Sequence, residues 1–162
     1  MALHKNFPKS PSSQILLYTA KDGSQKIEVK LEDETVWLSQ GQMVQLFQTT
    51  KQNISLHLKN IFTEGELEAN SVVKEYLTTA NDGKQYLTQF YNLDVIISVG
   101  YRINSYRGTQ FRIWATKQLR EYLIKGFVMN DERLSEGKIV GSISYFDELL
   151  ERIRDIRASE KR

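Results

Sequence analysis

The residues best suited to chemistry lie between Ser39 and Phe62, where amide, hydroxyl and lysine side chains recur within a helical pattern. Ser39, with Gln42 three residues later, forms a capping box, and Thr50 gives a second N-cap signal. Two helix starts eleven residues apart predict two short helices separated by a tight turn. Apolar spacing is expected to bring two sets face to face: Met43, Val44 and Phe47 on the first helix, and Ile54, Leu58 and Ile61 on the second.

The outer face of the second predicted helix then carries side chains of the types that contact DNA bases. We expect base contacts from Gln52, Asn53, Ser55, Leu56 and Lys59. Gln and Asn amides pair bidentately with adenine, lysine suits guanine, and a leucine can meet a thymine methyl group. Single exposed leucines are also common on protein surfaces, so Leu56 alone is better explained that way. Backbone contacts are expected from Thr50, Lys51, Asn60, Lys84, Arg107 and Arg112.

Two β-hairpins are predicted on either side of this helical pair. Ile15 to Lys30 holds two β-prone runs around Asp22-Gly23, and Val72 to Phe90 repeats the pattern with a tip at Asn81 to Lys84. A hairpin directly after the second helix is where a winged helix-turn-helix places its wing. The alternative is a hairpin that only covers the core.

Further helices are predicted downstream. Asn92 can cap a helix through LDVIISVGYRIN, and after an interruption at Ser105 to Gly108, Thr109 can cap a longer helix to about Lys125. Between Tyr101 and Gly126 six basic residues stand against one acidic residue, a local charge of +5. Such a charge run can contact phosphates or be only a solvated face.

The segment after Ser142 predicts a C-terminal amphipathic helix. Phe146, Leu149, Ile153 and Ile156 follow coiled-coil spacing. This helix either pairs two copies of the chain into a homodimer or docks on its own domain. The predicted organisation is thus a disordered tail over 1–13, an α+β winged helix-turn-helix-like domain over 14–130, and a linker with the C-terminal helix over 131–162.

Composition limits the classes of function. The 162 residues carry a net charge of +2 and no cysteine, which excludes thiolate catalysis, thiolate metal sites and disulfides. No apolar run is long enough to span a bilayer, so a cytoplasmic protein is expected. The two histidines, His4 and His57, cannot form a metal triad, and the glycines match no nucleotide-binding loop. We therefore expect neither catalytic activity nor a cofactor.

Much of the chain resembles the RhuM family of virulence-associated bacterial proteins. The likeness covers roughly residues 14–157, and its most distinctive segments are YNLDVIISVGYR and RGTQFRIWAT. The resemblance implies DNA binding, and a setting in pathogenicity islands or other mobile DNA. It also implies a link to Fic/Doc-type toxins, although the Fic signature itself is absent from this sequence. Family members tend to continue beyond the position of Arg162, so a further C-terminal region is expected.

These observations favour sequence-specific binding of double-stranded DNA, in transcription regulation or in a mobile-element or defence role. The alternative is a protein-interaction or antitoxin-like module with a toxin-type partner. An enzyme fragment is a second rival. Phosphate contacts would make affinity fall steeply with salt, whereas a protein interface need not, so a salt titration separates the two classes of binding.

Overall fold

A computed structural model describes residues 13–14, 28–32, 35–135 and 145–160. Its secondary structure is mixed α and β, which confirms the predicted α+β class. In chain order the elements are β1 (Ser13–Gln14), β2 (Glu28–Glu32), β3 (Thr35–Ser39), α1 (Gln40–Phe47), α2 (Lys51–Thr63), α3 (Ala69–Val72), β4 (Val73–Thr79), β5 (Gln85–Asn92), α4 (Leu93–Arg102), α5 (Tyr106–Lys125), α6 (Asp131–Ser135) and α7 (Tyr145–Ser159). None of the described helices combines the length and apolarity that a membrane span requires.

The strands form one antiparallel sheet in the order β1-β2-β3-β5-β4. Strand β3 is central and pairs Trp37 with Lys30 on one side and with Asn92 on the other. This strand was not predicted, because its consecutive buried residues Val36, Trp37 and Leu38 do not alternate with polar ones. Both faces of β3 are covered, which removes the period of two that identifies a half-exposed strand.

The second predicted hairpin is confirmed as β4–β5. Its register runs from Val73 opposite Tyr91 to Thr79 opposite Gln85. At the tip the Ala80 amide donates to the Lys84 carbonyl (2.9 Å), and Gly83 has the positive φ of 77° that such turns need. For the first predicted hairpin, β1 pairs antiparallel with β2, but the turn at Asp22-Gly23 lies outside the described residues, as does most of the predicted tail.

The two predicted helix starts are also confirmed. The Gln42 amide donates to Ser39 Oγ (3.2 Å), while the Ser39 amide donates to Gln42 Oε1 (2.8 Å), which completes the capping box of α1. The Asn53 amide donates to Thr50 Oγ1 (3.2 Å) at the start of α2. Gln48 ends α1 in the left-handed conformation, with φ of 46°, and so produces the short connection between the helices.

The main core lies between one face of the sheet and helices α1, α2 and α4. The predicted inward residues Met43, Phe47, Ile54, Leu58 and Ile61 are all buried there, while Val44 is only partly buried. Leu46 and Phe111 join them, although the sequence patterns did not single out Leu46. A smaller cluster of buried aromatic residues is made by Trp37, Tyr76 and Phe90.

The junction of α4 and α5 differs in part from its prediction. Asn92 caps α4 as expected, its Oδ1 accepting from the Val95 amide (3.3 Å). The predicted start of the next helix at Thr109 is wrong, because α5 begins at Tyr106. Ser105 Oγ accepts from the Gly108 amide (2.9 Å) and donates to the Phe47 carbonyl (2.7 Å), so this serine begins the helix and ties it to α1.

Contacts divide the chain into two compact units, up to Lys117 and from Gln118 onward. The first holds the sheet, the helices α1 to α4 and the core. The second holds the end of α5 together with α6 and α7. None of the described residues of α7 is buried, and the apolar residues Phe146, Leu150, Ile153 and Ile156 are exposed on it.

Candidate nucleic-acid interface

Helix α2 is amphipathic, and the side predicted to contact bases is the exposed one. Ile54 and Ile61 are fully buried, whereas Gln52, Asn53, Ser55, Leu56 and Lys59 are all exposed. At about 100° per residue, three of them point most directly away from the core: Gln52, Leu56 and Lys59. We call these three residues the α2 ridge. Leu56, 54% exposed, lies at its middle.

Two of the five expected base-contacting residues are held by local hydrogen bonds beside the ridge. Asn53 Nδ2 donates to Thr49 Oγ1 (3.1 Å), just before α2. On the opposite side of the ridge, Gln40 Nε2 donates to Ser55 Oγ and to the Lys51 carbonyl (3.1 Å). These bonds join the start of α1 to α2. Sequence patterns could not identify Gln40 in this role, because the contact depends on how the two helices dock.

Four of the six expected backbone-contacting residues lie on or next to α2 or at the hairpin tip. Lys51 is exposed at the first turn of α2, Asn60 is half-buried, and the Thr50 side chain serves as the N-cap. Lys84 is exposed at the hairpin tip. Helix α2 and the hairpin therefore present their lysines from two separate elements of the first unit.

The hairpin tip is held by Asp82, which lies within the predicted tip from Asn81 to Lys84 but for which no bonding role was predicted. Its Oδ1 accepts from the Lys84 amide and its Oδ2 accepts from the Tyr86 hydroxyl, both at 2.9 Å. The amide bond and then the Tyr86 bond lower the pKa of Asp82, and the same carboxylate raises the pKa of Tyr86. An Asp two residues before Lys84 and four before Tyr86 is the signal that could have indicated this arrangement.

Arg107 and Arg112 are placed differently from the other expected phosphate contacts. Arg107 is only 8% exposed. Arg112 donates to the Ile103 carbonyl (2.6 Å) and to Thr109 Oγ1 (3.1 Å), and so closes the α4–α5 junction. Arg107 therefore exposes little surface to a phosphate, and the Arg112 guanidinium group already has partners at the junction. The phosphate contacts expected of these two arginines stay predictions.

Arg102 also serves the fold. It donates to Glu64 (2.8 Å) and Glu66 (2.5 Å), which follow α2, and Ser98 Oγ donates to Glu66 (2.8 Å). The Arg102 hydrogen bond lowers the pKa of Glu66, with a smaller effect from Ser98. Burial, followed by the charge of Arg102, lowers the pKa of His57. In the basic segment from Tyr101 to Gly126, Arg107 is therefore buried, and Arg102 and Arg112 bind other groups of the same chain.

The Arg102–Glu66 ion pair is expected to make the stability of the fold depend on pH. Because the pKa of Glu66 is lowered in the folded chain, its carboxylate contributes stability above pH 4.5, the ordinary value. This contribution is lost as pH falls through the folded-state pKa. An NMR titration of the Glu66 carboxyl should therefore give a midpoint below 4.5. In Arg102→Met the midpoint should move up toward the ordinary value, while Arg120→Met, which removes an exposed arginine, should leave it unchanged. An unmoved midpoint in Arg102→Met would contradict the assignment.

Within the described ranges, no three His, Asp or Glu side chains come together as metal ligands. The described residues offer an exposed ridge on α2 with amide, apolar and cationic side chains, and separately an exposed lysine at a hairpin tip held by Asp82. Such a surface can donate to and accept from a polar, anionic partner.

Comparison with known protein families identifies a match over the second half of the chain. The family model described as the virulence protein RhuM family matches residues 71–162. The matched range covers the hairpin, α4, α5, α6 and α7, and it leaves α1 and α2 outside. No curated protein and no solved structure matches the chain.

Proposed function

The chain belongs to the virulence protein RhuM family, and on that premise we propose that it binds double-stranded DNA in a sequence-specific way through a winged helix-turn-helix. In this proposal α2 enters the major groove, α1 supports it, and the hairpin β4–β5 is the wing. The observation that carries the proposal is the α2 ridge. It stands exposed on a helix whose opposite side is anchored in the core by Ile54 and Ile61.

The ridge has the right side chains for bases in the major groove. Gln52 lies in the first turn of α2, the end of a recognition helix that approaches bases most closely. Its amide can accept from and donate to an adenine. Lys59 lies two turns further along the same side, and Leu56 between them can contact a thymine methyl group.

Phosphate contacts are assigned to Lys51 on α2 and Lys84 on the wing. The Asp82 bonds brace the backbone beside Lys84, so less conformational entropy is lost when the tip meets a phosphate. With about three to six phosphates neutralised per subunit, log affinity should fall with log salt at a slope of about −0.9 for each. The total charge of +2 is small, so attraction depends on this local arrangement.

The decisive experiment separates base contacts from charge attraction. Preferred duplexes are first selected from a random pool with the whole chain, and affinities are then measured at several salt concentrations. Gln52→Ala should relax the preference at one base pair by roughly 1–3 kcal/mol, because one bidentate contact is lost. Lys51→Ala should weaken all duplexes alike and reduce the salt slope by about 1, because Lys51 is assigned to a phosphate.

Lys117→Ala is the matched control, since Lys117 is also exposed but lies on α5 and not on α2 or the hairpin. It should bind as the unsubstituted chain does. Equal losses in all three variants would contradict the assigned roles. A chain that ignores duplexes even in dilute buffer would contradict the proposed function itself.

A second candidate function, a protein-interaction module, is favoured by the exposed apolar residues of α7 and of the second half of α5, such as Leu123 and Ile124, and by Phe127 just after α5. Such a surface suits a second copy of the chain in a homodimer, or a toxin-type partner in an antitoxin-like role. Under either function the chain acts in the cytoplasm, without a cofactor and without catalysis. The salt dependence of binding distinguishes a nucleic-acid partner from a protein partner.

A further inference from the structure

A groove of about 590 Å³ separates α2 from the hairpin β4–β5. One wall is formed by the flank of α2, where Leu58 and Phe62 lie one turn apart. The other wall is formed by two cross-strand pairs, Val73 with Tyr91 and Glu75 with Gln89, whose side chains share one face of the hairpin. Its volume falls within the range of small-molecule sites.

The lining of the groove combines an apolar side with a polar rim. Leu58, Phe62 and Val73 provide the apolar contacts. On the hairpin, the Tyr91 hydroxyl donates to Gln89 Oε1 (3.1 Å), so its hydrogen is engaged and the phenol oxygen can still accept from a donor. Burial raises the pKa of Tyr91, so this oxygen belongs to a neutral phenol at physiological pH.

The side chains that line the groove carry negative charge only. Glu75 is its single ionised residue, and no lysine, arginine or histidine is among the side chains that line this groove. Gln40, at one end, donates its amide hydrogens to Ser55 and Lys51, so its Oε1 is left as an acceptor. The groove therefore offers a carboxylate and neutral acceptors around an apolar floor, which suits a ligand with hydrogen-bond donors and a positive charge.

We propose that this groove binds a small amine cation with an apolar body, the ammonium group on Glu75 and the apolar part between Phe62 and Val73. The proposal does not depend on DNA binding, because every side chain it uses lies in the groove and the measurement below contains no nucleic acid. Since Ser55 borders both the groove and the α2 ridge, an occupied groove would lie directly beside the proposed base-contacting surface.

The test is a calorimetric titration of the whole chain with phenethylamine and, separately, with 2-phenylethanol, which keeps the apolar body but has no charge. Phenethylamine should bind one molecule per chain and about two- to fivefold more tightly than the alcohol, because an ion pair with an exposed carboxylate adds only a modest attraction. Glu75→Gln should reduce the affinity for the amine to that for the alcohol. Glu75 is exposed, so the variant should keep the circular dichroism spectrum of the parent.

Glu148→Gln is the matched control, because Glu148 lies on α7 and is not among the lining residues. It should leave the preference for the amine intact. Equal binding of amine and alcohol to the unsubstituted chain, no saturable binding of the amine, or an unchanged preference in Glu75→Gln would each overturn the proposal. The first two outcomes decide the question even if the Glu75 variant failed to fold.

Discussion

Replacing Phe111 by alanine is expected to lower the free energy of unfolding by about 3–5 kcal/mol, the usual cost of deleting a buried aromatic side chain. Phe111 is fully buried where α5 crosses the main core. Its ring meets Phe47 of α1 edge-on at 5.5 Å between centroids and meets Tyr101 of α4 at 6.2 Å. The substitution would therefore open a cavity among three helices at once.

Urea denaturation of Phe111→Ala and of Ile113→Ala measures this effect against a matched control. Ile113 lies two residues further along α5 and is 61% exposed. Its replacement should change stability by no more than about 0.5 kcal/mol, as surface substitutions usually do. Similar losses in the two variants would contradict the position of Phe111 in the core. The slope of the transition should stay the same, so that the midpoint alone reports the change.

Replacing Gly108 by alanine is expected to destabilise the fold by about 1–3 kcal/mol or more. A Cβ atom at this position would lie 2.6 Å from the Ile103 carbonyl oxygen, and 3.0 Å from Cγ2 of the same residue. The carbonyl belongs to the backbone and also accepts from Arg112, so it cannot move aside without losing that bond. Relief would have to come from separating α5 from the end of α4.

Gly41→Ala is the control for Gly108→Ala. In α1 a Cβ on Gly41 would meet only Ser39 Oγ, at 3.9 Å, which is ordinary contact. Alanine there should be neutral or should stabilise α1 by at most about 1 kcal/mol, because glycine disfavours helices. Thermal unfolding of both variants gives the comparison. A Gly108→Ala chain as stable as Gly41→Ala would contradict the close packing at the α4–α5 junction.

The sequence predicted well those parts of the fold that depend on hydrogen bonds between residues close together in the chain. Ser39, Thr50 and Asn92 each bond to an amide three residues ahead, and a bond over that distance can be recognised in the sequence itself. The hairpin tip is similar, because Asp82-Gly83 determines the turn locally. These local signals were enough to locate α1, α2, α4 and the hairpin.

What sequence did not predict depends on residues far apart in the chain. Strand β3 owes its place to partners on β2 and on the distant β5, and its buried run has no period of its own. The start of α5 at Tyr106 had a local signal, because Ser105 accepts from the Gly108 amide three residues ahead, but Thr109 offered a competing cap. The bond from Ser105 to the Phe47 carbonyl of α1 is the long-range contact that no local pattern reports.

The candidate interface shows the same division. Helical periodicity correctly placed Gln52, Leu56 and Lys59 outside, since the buried side of α2 is apolar. The backbone contacts expected of Arg107 and Arg112 rested on the assumption that charged side chains are exposed. Tertiary packing buries the first and engages the second with backbone carbonyls.

The pairing of β3 with β5, and of Phe47 with Phe111, has a consequence for how the molecule is made. Helix α2 is synthesised early, yet the strand and the ring that complete its support come tens of residues later. On the ribosome, the segment up to Thr63 must therefore wait without a finished core until α5 has emerged from the exit tunnel. Helices α1 and α2 therefore cannot complete their packing alone. The exposed surface of α2 becomes fixed in place only when the last residues of the first unit have been synthesised.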